Sequence, residues 1–157
     1  MAVLTRARTA GRSVSYNRGM PAAQAPHPPL IVLFDGQCNL CNGAVNFLID
    51  RDRGGRFKFA SQQSAVGQKL LADHGQPTNL LTVVVIDRAR VFTRSAAVLR
   101  LVRHLPWPWP LLQVGVAIPR PIADWLYDHV AENRYRLFGR SASCRLSTPE
   151  LASRFVG

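Results

Sequence analysis

An α/β fold, with a central mixed sheet of about four strands, flanking helices and an extra helical segment near the C-terminus, is predicted by three features of this sequence. Short apolar runs alternate with segments whose apolar residues recur every three to four positions. Two of the later runs flank a polar turn, Asp87-Arg88-Ala89-Arg90, as in a hairpin. Between the first run and the first helical pattern stand two thiols, Cys38 and Cys41.

Each element has its own signal. Leu30 to Phe34 is a short apolar run that reads as a buried strand, and Asp35-Gly36 is the turn that ends it. Ala44, Val45, Phe47 and Leu48, with Leu40 a further candidate, fall at helical spacing, and this helix stops near Arg53-Gly54-Gly55. Phe57-Lys58-Phe59-Ala60 alternates as a second strand. Ser61 is a cap for a helix around Ala65 to Ala72, which His74-Gly75-Gln76-Pro77 terminates. The run Leu80 to Ile86 is the most strand-like in the chain, and Val91-Phe92-Thr93 is its hairpin partner. Ser95 then caps a helix carrying Ala97, Val98, Leu101, Val102 and Leu105, which Pro106 ends. A last helix from about Pro119 to Tyr135 is expected to bury Ile122, Trp125, Leu126 and Val130. Strand, helix, strand, helix, hairpin, helix, with the cysteine pair after the first strand, is the order of a thioredoxin-like fold.

The 157 residues fit one domain, large enough to bury a core without disulfide staples. Residues 1–29 carry Arg, Ser, Ala, Gly and Pro, no acid and few large apolar groups, so they read as a disordered basic tail ahead of a domain spanning 30–157. The tail lacks the apolar stretch of a secretory signal. Its Arg-rich, acid-free character resembles an organelle transit peptide, but a plain tail, or sequence upstream of a true start at Met20, is the favoured reading. The segment Trp107 to Ile118 is too short and too broken by proline to span a bilayer, so no transmembrane segment is expected. With three cysteines, two of them paired in sequence, the chain is no secreted disulfide scaffold, and a reducing cytoplasm is the default location. The net charge of +11 would draw anionic partners, yet most of the arginines beyond the tail are scattered singly or in small groups.

The cysteine pair carries the chemistry. A strand that feeds a helix start leaves the first thiol beside backbone N–H groups without helical partners, and one turn of helix holds the second within reach. Drawing a thiol into the neutral range takes roughly 2 kcal/mol, whereas an exposed helix terminus supplies about 0.3–1 kcal/mol. Direct donors must add the rest, and the candidates are the N–H groups of Leu40 or Cys41 and the Cys41 thiol, because no Lys, Arg or His lies inside the loop. A structural zinc would need two further ligands, while the chain offers only Cys144 and the separated His27, His74, His104 and His129, so neither metal nor cofactor is expected. Asp35 has two readings: a proton acceptor for Cys41 during resolution, or a turn residue that bonds the backbone after the strand. Cys144, in the polar stretch Ser141 to Arg145, is either a second resolving thiol or a packing residue.

The stretch Asp35-Gly36-Gln37-Cys38-Asn39-Leu40-Cys41 resembles the signature of the DCC family of thiol-disulfide oxidoreductases, named for its Asp and two Cys. Ser95-Ala96, Ile118-Pro119-Arg120, Tyr127, Asn133-Arg134-Tyr135-Arg136, Phe138-Gly139-Arg140 and Cys144 resemble the later segments of that family, so the likeness runs from about Leu30 to near the C-terminus. The resemblance implies a thioredoxin-like fold and a dithiol-disulfide activity resting on Asp35, Cys38 and Cys41. Asn39-Leu40 stands where thioredoxin has glycine-proline, so the reduction potential of thioredoxin does not transfer. Thioredoxin-like enzymes also set a cis-proline opposite the cysteines, and Pro77 is the candidate here.

The leading expectation is an enzyme in which Cys38 attacks a protein or small-molecule disulfide and Cys41 resolves the mixed disulfide. A non-catalytic partner-binding or redox-sensing module is the second reading. Trp107 and Trp109, with Leu111 and Leu112, would form its exposed apolar ridge, unless they cover the sheet edge and pack on the last helix. Nucleic-acid binding ranks third: Arg134, Arg136 and Arg140 mix with Tyr135, but arginines in a last helical turn are expected from the helix dipole alone.

Overall fold

The computed structural model describes residues 28–79, 82–140 and 152–156. Four strands form one sheet in the order β2-β1-β3-β4. The central strand β1 (Leu30–Phe34) runs parallel to β2 (Phe57–Ser61) and antiparallel to β3 (Val84–Asp87), which pairs in turn with antiparallel β4 (Arg90–Thr93). Helix α1 (Asn39–Arg51) crosses from β1 to β2, α2 (Ala65–Asp73) follows β2, and α3 (Arg94–Val102) follows the hairpin. A 3-10 helix, Trp109–Ala117, then leads into the long α4 (Arg120–Phe138).

The alternation of β1 divides the core between the two faces of the sheet. Leu30, Val32 and Phe34 join Phe57, Phe59 and Val85 against Val45 and Leu48 of α1 and Ala97, Leu101 and Val102 of α3. Leu33 points the other way, with Ala60, Val84 and Ile86, onto Leu71 of α2. Helices on both sides make β1 apolar along its whole length. Residues 152–156 lie along the free edge of β2, where Phe59 N–H donates to Arg154 O and Val156 N–H to Phe59 O, both at 2.8 Å. Arg154 also reaches the buried Asp52 at the end of α1, with Nη1 2.6 Å from Oδ2.

The tail 1–27 and Cys144 lie outside the described residues, as do Leu80 and Leu81. Among the described residues no helix is long and apolar enough to cross a membrane.

Several local expectations are corrected. The second strand does not alternate between core and solvent: Lys58 is buried too, with Nζ on Ser153 O at 2.6 Å, because the C-terminal segment covers that edge. The cap of α2 is Ser64 rather than Ser61, its Oγ accepting from Gly67 N–H at 3.0 Å, while Ser61 still closes β2. Strand β3 begins at Val84, later than the apolar run that starts at Leu80. Helix α3 starts one residue before Ser95, from Thr93, and Ser95 Oγ bonds Asp124 of α4 instead. The cis peptide bond precedes Pro108, not Pro77.

The largest correction concerns α4. Ile122, Trp125, Leu126 and Val130, expected in the core, are exposed, Trp125 by 67%. The side that docks carries Asp124, Tyr127, Asp128 and Arg134, which bond to Ser95, Val83, Arg94 and Asp35 in turn. Trp107 is also exposed, by 80%, whereas Trp109 packs edge-on against Phe47 of α1 at 4.7 Å.

Candidate functional site

The C-terminal end of β1 delivers the chain through Asp35-Gly36-Gln37 to Cys38, which is the N-cap of α1. Its extended backbone (φ −95°, ψ 120°) turns its side chain towards the first turn of the helix, where Cys41 N–H donates to Cys38 Sγ at 3.4 Å. The sulfur thus occupies the place of the side-chain oxygen in an ordinary N-cap. Cys38 and Cys41 lie 3.3 Å apart, and both are free thiols. The Cys41 thiol is pushed up to about 12, first by burial and then by its hydrogen bond to Cys38, with the Arg134 charge acting in the opposite direction.

Asp35 is buried, and both of its oxygens are fully used. Oδ1 accepts from Gln37 N–H at 3.0 Å and from Gln63 Nε2 at 2.8 Å; Oδ2 accepts from Arg134 Nη2 at 2.8 Å and from the Tyr135 hydroxyl. Burial pushes this carboxyl up, but the donors from Tyr135, Gln37 and Gln63 and the Arg134 charge together outweigh it, and the net shift is downward. The bond to Gln37 is the turn-forming interaction expected of Asp35. A carboxylate that already accepts four donors is a poor base, so the geometry favours an anchor over a proton acceptor.

Arg134 is the residue that reading the sequence missed. It lies in the last turns of α4, where a cation is expected to complement the helix dipole, yet it is 3% exposed and points inward to Asp35. Its burial removes it from any phosphate-binding surface. The charge that the cysteine loop lacks is therefore supplied from 99 residues beyond Asp35. The likeness of Asn133-Arg134-Tyr135-Arg136 to a known family and its mixture of arginine with tyrosine marked this stretch, but neither pointed to Asp35, and nothing local marked Gln63, whose side chain also accepts from Gly36 N–H at 3.1 Å.

The chain after α4 closes over Cys38, which is 0% exposed. Asn39 Nδ2 donates to Phe138 O at 2.9 Å, Asn39 N–H to Gly139 O at 3.4 Å, and Cys38 pairs with Arg140 as an isolated antiparallel bridge. Gly139 turns the strap with φ 75° and ψ −178°, a conformation nearly reserved for glycine. Removing the Asn39 donor costs this strap about 1 kcal/mol. Asn39→Ala is accordingly expected to raise the alkylation rate of Cys38 about fivefold, measured by mass spectrometry of maleimide-labelled peptides; an unchanged rate would show that the strap does not limit access.

Among the described residues no three His, Cys, Asp or Glu side chains are grouped to hold a metal ion. Sheet order, strand directions and two thiols at the mouth of the central strand define a class, the thioredoxin-like domain with a cysteine pair. Comparison with known proteins makes the assignment particular. The chain belongs to the DCC1-like thiol-disulfide oxidoreductase family, whose profile matches residues 32–140. It is 44% identical over 130 residues to the protein YuxK of Bacillus subtilis, covering 82% of this chain and 95% of that one. It is 43% identical over 118 residues to a chloroplastic DCC family protein of Arabidopsis thaliana, covering 74% of this chain and 69% of the relative. No solved structure matches.

Proposed function

We propose that this protein is a thiol-disulfide oxidoreductase in which Cys38 is the nucleophile and Cys41 the resolving thiol, working in a reducing cytoplasm. The observation that carries this reading is the pairing of a helix-capping sulfur, which accepts a backbone N–H, with a second thiol 3.3 Å away that holds its proton firmly. Cys38 as thiolate attacks one sulfur of a substrate disulfide. The mixed disulfide then brings its sulfur against Cys41, whose attack on Cys38 Sγ closes the internal bond and releases the substrate reduced. Asp35 is a positioning residue in this scheme: it holds Arg134, and the Arg134 cation favours an anionic Cys41 at the moment of resolution. Membership of a thiol-disulfide oxidoreductase family supports the reading.

Reduction of insulin in the presence of dithiothreitol tests it. The purified protein should accelerate precipitation of the insulin B chain; Cys38→Ser should abolish the acceleration, and Cys41→Ser should accumulate a covalent adduct visible on a non-reducing gel. Unimpaired turnover by Cys38→Ser would overturn the assignment. The exposed apolar side chains from Trp107 to Phe138 favour a second reading, a partner-binding module of the same fold. A protein inert towards insulin that retains one partner on a column would support that alternative.

A further inference from the structure

Between α1, α3 and the face of β1 that carries Val32 and Phe34 lies a cavity of about 270 Å³. Its walls include Leu40, Phe47 and Leu105, and every lining side chain is a plain hydrocarbon except those of Cys41 and Tyr127. Among the described residues no charged group borders it. The Tyr127 hydroxyl already accepts Val83 N–H at 3.0 Å, which leaves the cavity one hydroxyl proton and one thiol as its polar features. Cys41 lines the cavity and lies 3.3 Å from Cys38, which is itself just beyond the wall.

These features restrict what fits. An ion would lose its hydration without gaining a partner, so the occupant is neutral. An apolar cavity of about 150 Å³ takes a benzene ring, so this one holds roughly a bicyclic ring or a chain of six to eight carbons. An extended peptide would need main-chain partners beside the cavity. There, Val83 N–H is taken by Tyr127, and Thr82 O accepts Gln62 Nε2 at 2.6 Å. The reactive group in the wall is a thiol, which selects an occupant able to exchange sulfur.

We infer that the cavity seats the apolar body of a small neutral disulfide, RS–SR, or of its thiol RSH. This rests on the exchange reading above and names its substrate class. Cys38 thiolate attacks one sulfur of RS–SR, the S–S bond breaks, and RS⁻ leaves. Cys41 gives that RS⁻ its proton, attacks Cys38 Sγ and expels the second RS⁻, which takes from solvent the proton Cys38 had lost. The pair is oxidised to a disulfide by two electrons as RS–SR is reduced to two RSH.

Two measurements on the full chain test it. The first is calorimetric binding of naphthalene, which cannot exchange: wild type should bind it, and Ala44→Trp, which fills the cavity wall from the exposed side of α1, should not. The second is exchange by reduced protein with diethyl, dibutyl and dihexyl disulfides against 2-hydroxyethyl disulfide. Each added methylene should raise kcat/KM about fourfold until the cavity is full, and Ala44→Trp should bring the ratio of dihexyl to hydroxyethyl rates close to one. Circular dichroism checks that the variant is folded, and Val98→Trp, on the α3 side, serves in its place if it is not. Failure of naphthalene to bind wild type, or rates indifferent to chain length, would overturn the inference while leaving disulfide exchange standing. Naphthalene binding lost in Ala44→Trp, with no exchange on any disulfide, would support the cavity as a ligand site and overturn the exchange reading.

Discussion

Arg134→Met should destabilise the protein by about 3 kcal/mol at neutral pH, because it leaves the Asp35 carboxylate buried without its cation. The two side chains are 3% and 5% exposed and 2.8 Å apart, so little of this is recovered by solvent. Methionine keeps most of the volume, which confines the loss to charge and hydrogen bonding. The pH dependence supplies a signature. Asp35 has its folded-state pKa lowered, so its contribution is fully present above the pKa of an unfolded aspartate and disappears as pH falls through the lower folded value. The gap between wild type and variant should therefore be widest near neutrality and close in acid, as read from urea midpoints. A gap of constant size down to pH 2.5 would mean that Arg134 contributes packing rather than charge. Asp35→Asn in the same chain should recover part of the loss, since no ion is then left unpaired.

Gly67→Ala should be nearly as damaging, for a purely steric reason. A Cβ at Gly67 would stand 2.0 Å from Ser61 O and 2.9 Å from Ser61 C, both of them main-chain atoms that cannot swing aside. Helix α2 would have to lift from the end of β2, at about 2–3 kcal/mol, and the Ser64 cap on Gly67 N–H would be strained with it. Gly43→Ala is the control of opposite sign. It lies within α1 with nothing within 4 Å of its Cβ position, so alanine should stabilise the helix by about 0.5–1 kcal/mol. Thermal unfolding of the two variants beside wild type separates the effects, and equal shifts of one sign would refute the steric account.

Local signals sufficed for much of the architecture. Strand β1 occupies the apolar run Leu30–Phe34, α1 and the hairpin fall where the periodicity and the Asp87–Arg90 turn put them, and the cysteines stand at the strand-to-helix junction. The failures share a cause. Ser61 and Ser64 are both able caps, and only the packing of α2 on β2 selects the second. Lys58 reads as solvent-facing until residues 152–156 are laid along its edge.

Helix α4 shows most plainly where the chain text stops. Its apolar residues mark one face and its polar residues the other, and hydrophobicity alone would turn the apolar face inward. By itself the sequence determined the order of elements and a dithiol at a helix start, because both depend on residues a few positions apart. The tertiary structure alone decided which face of α4 docks, that Arg134 meets Asp35, and that Gly139 and Arg140 cover Cys38. A buried carboxylate must find its cation wherever the chain brings one, and that requirement outweighed the pull of Ile122, Trp125 and Leu126 towards the core.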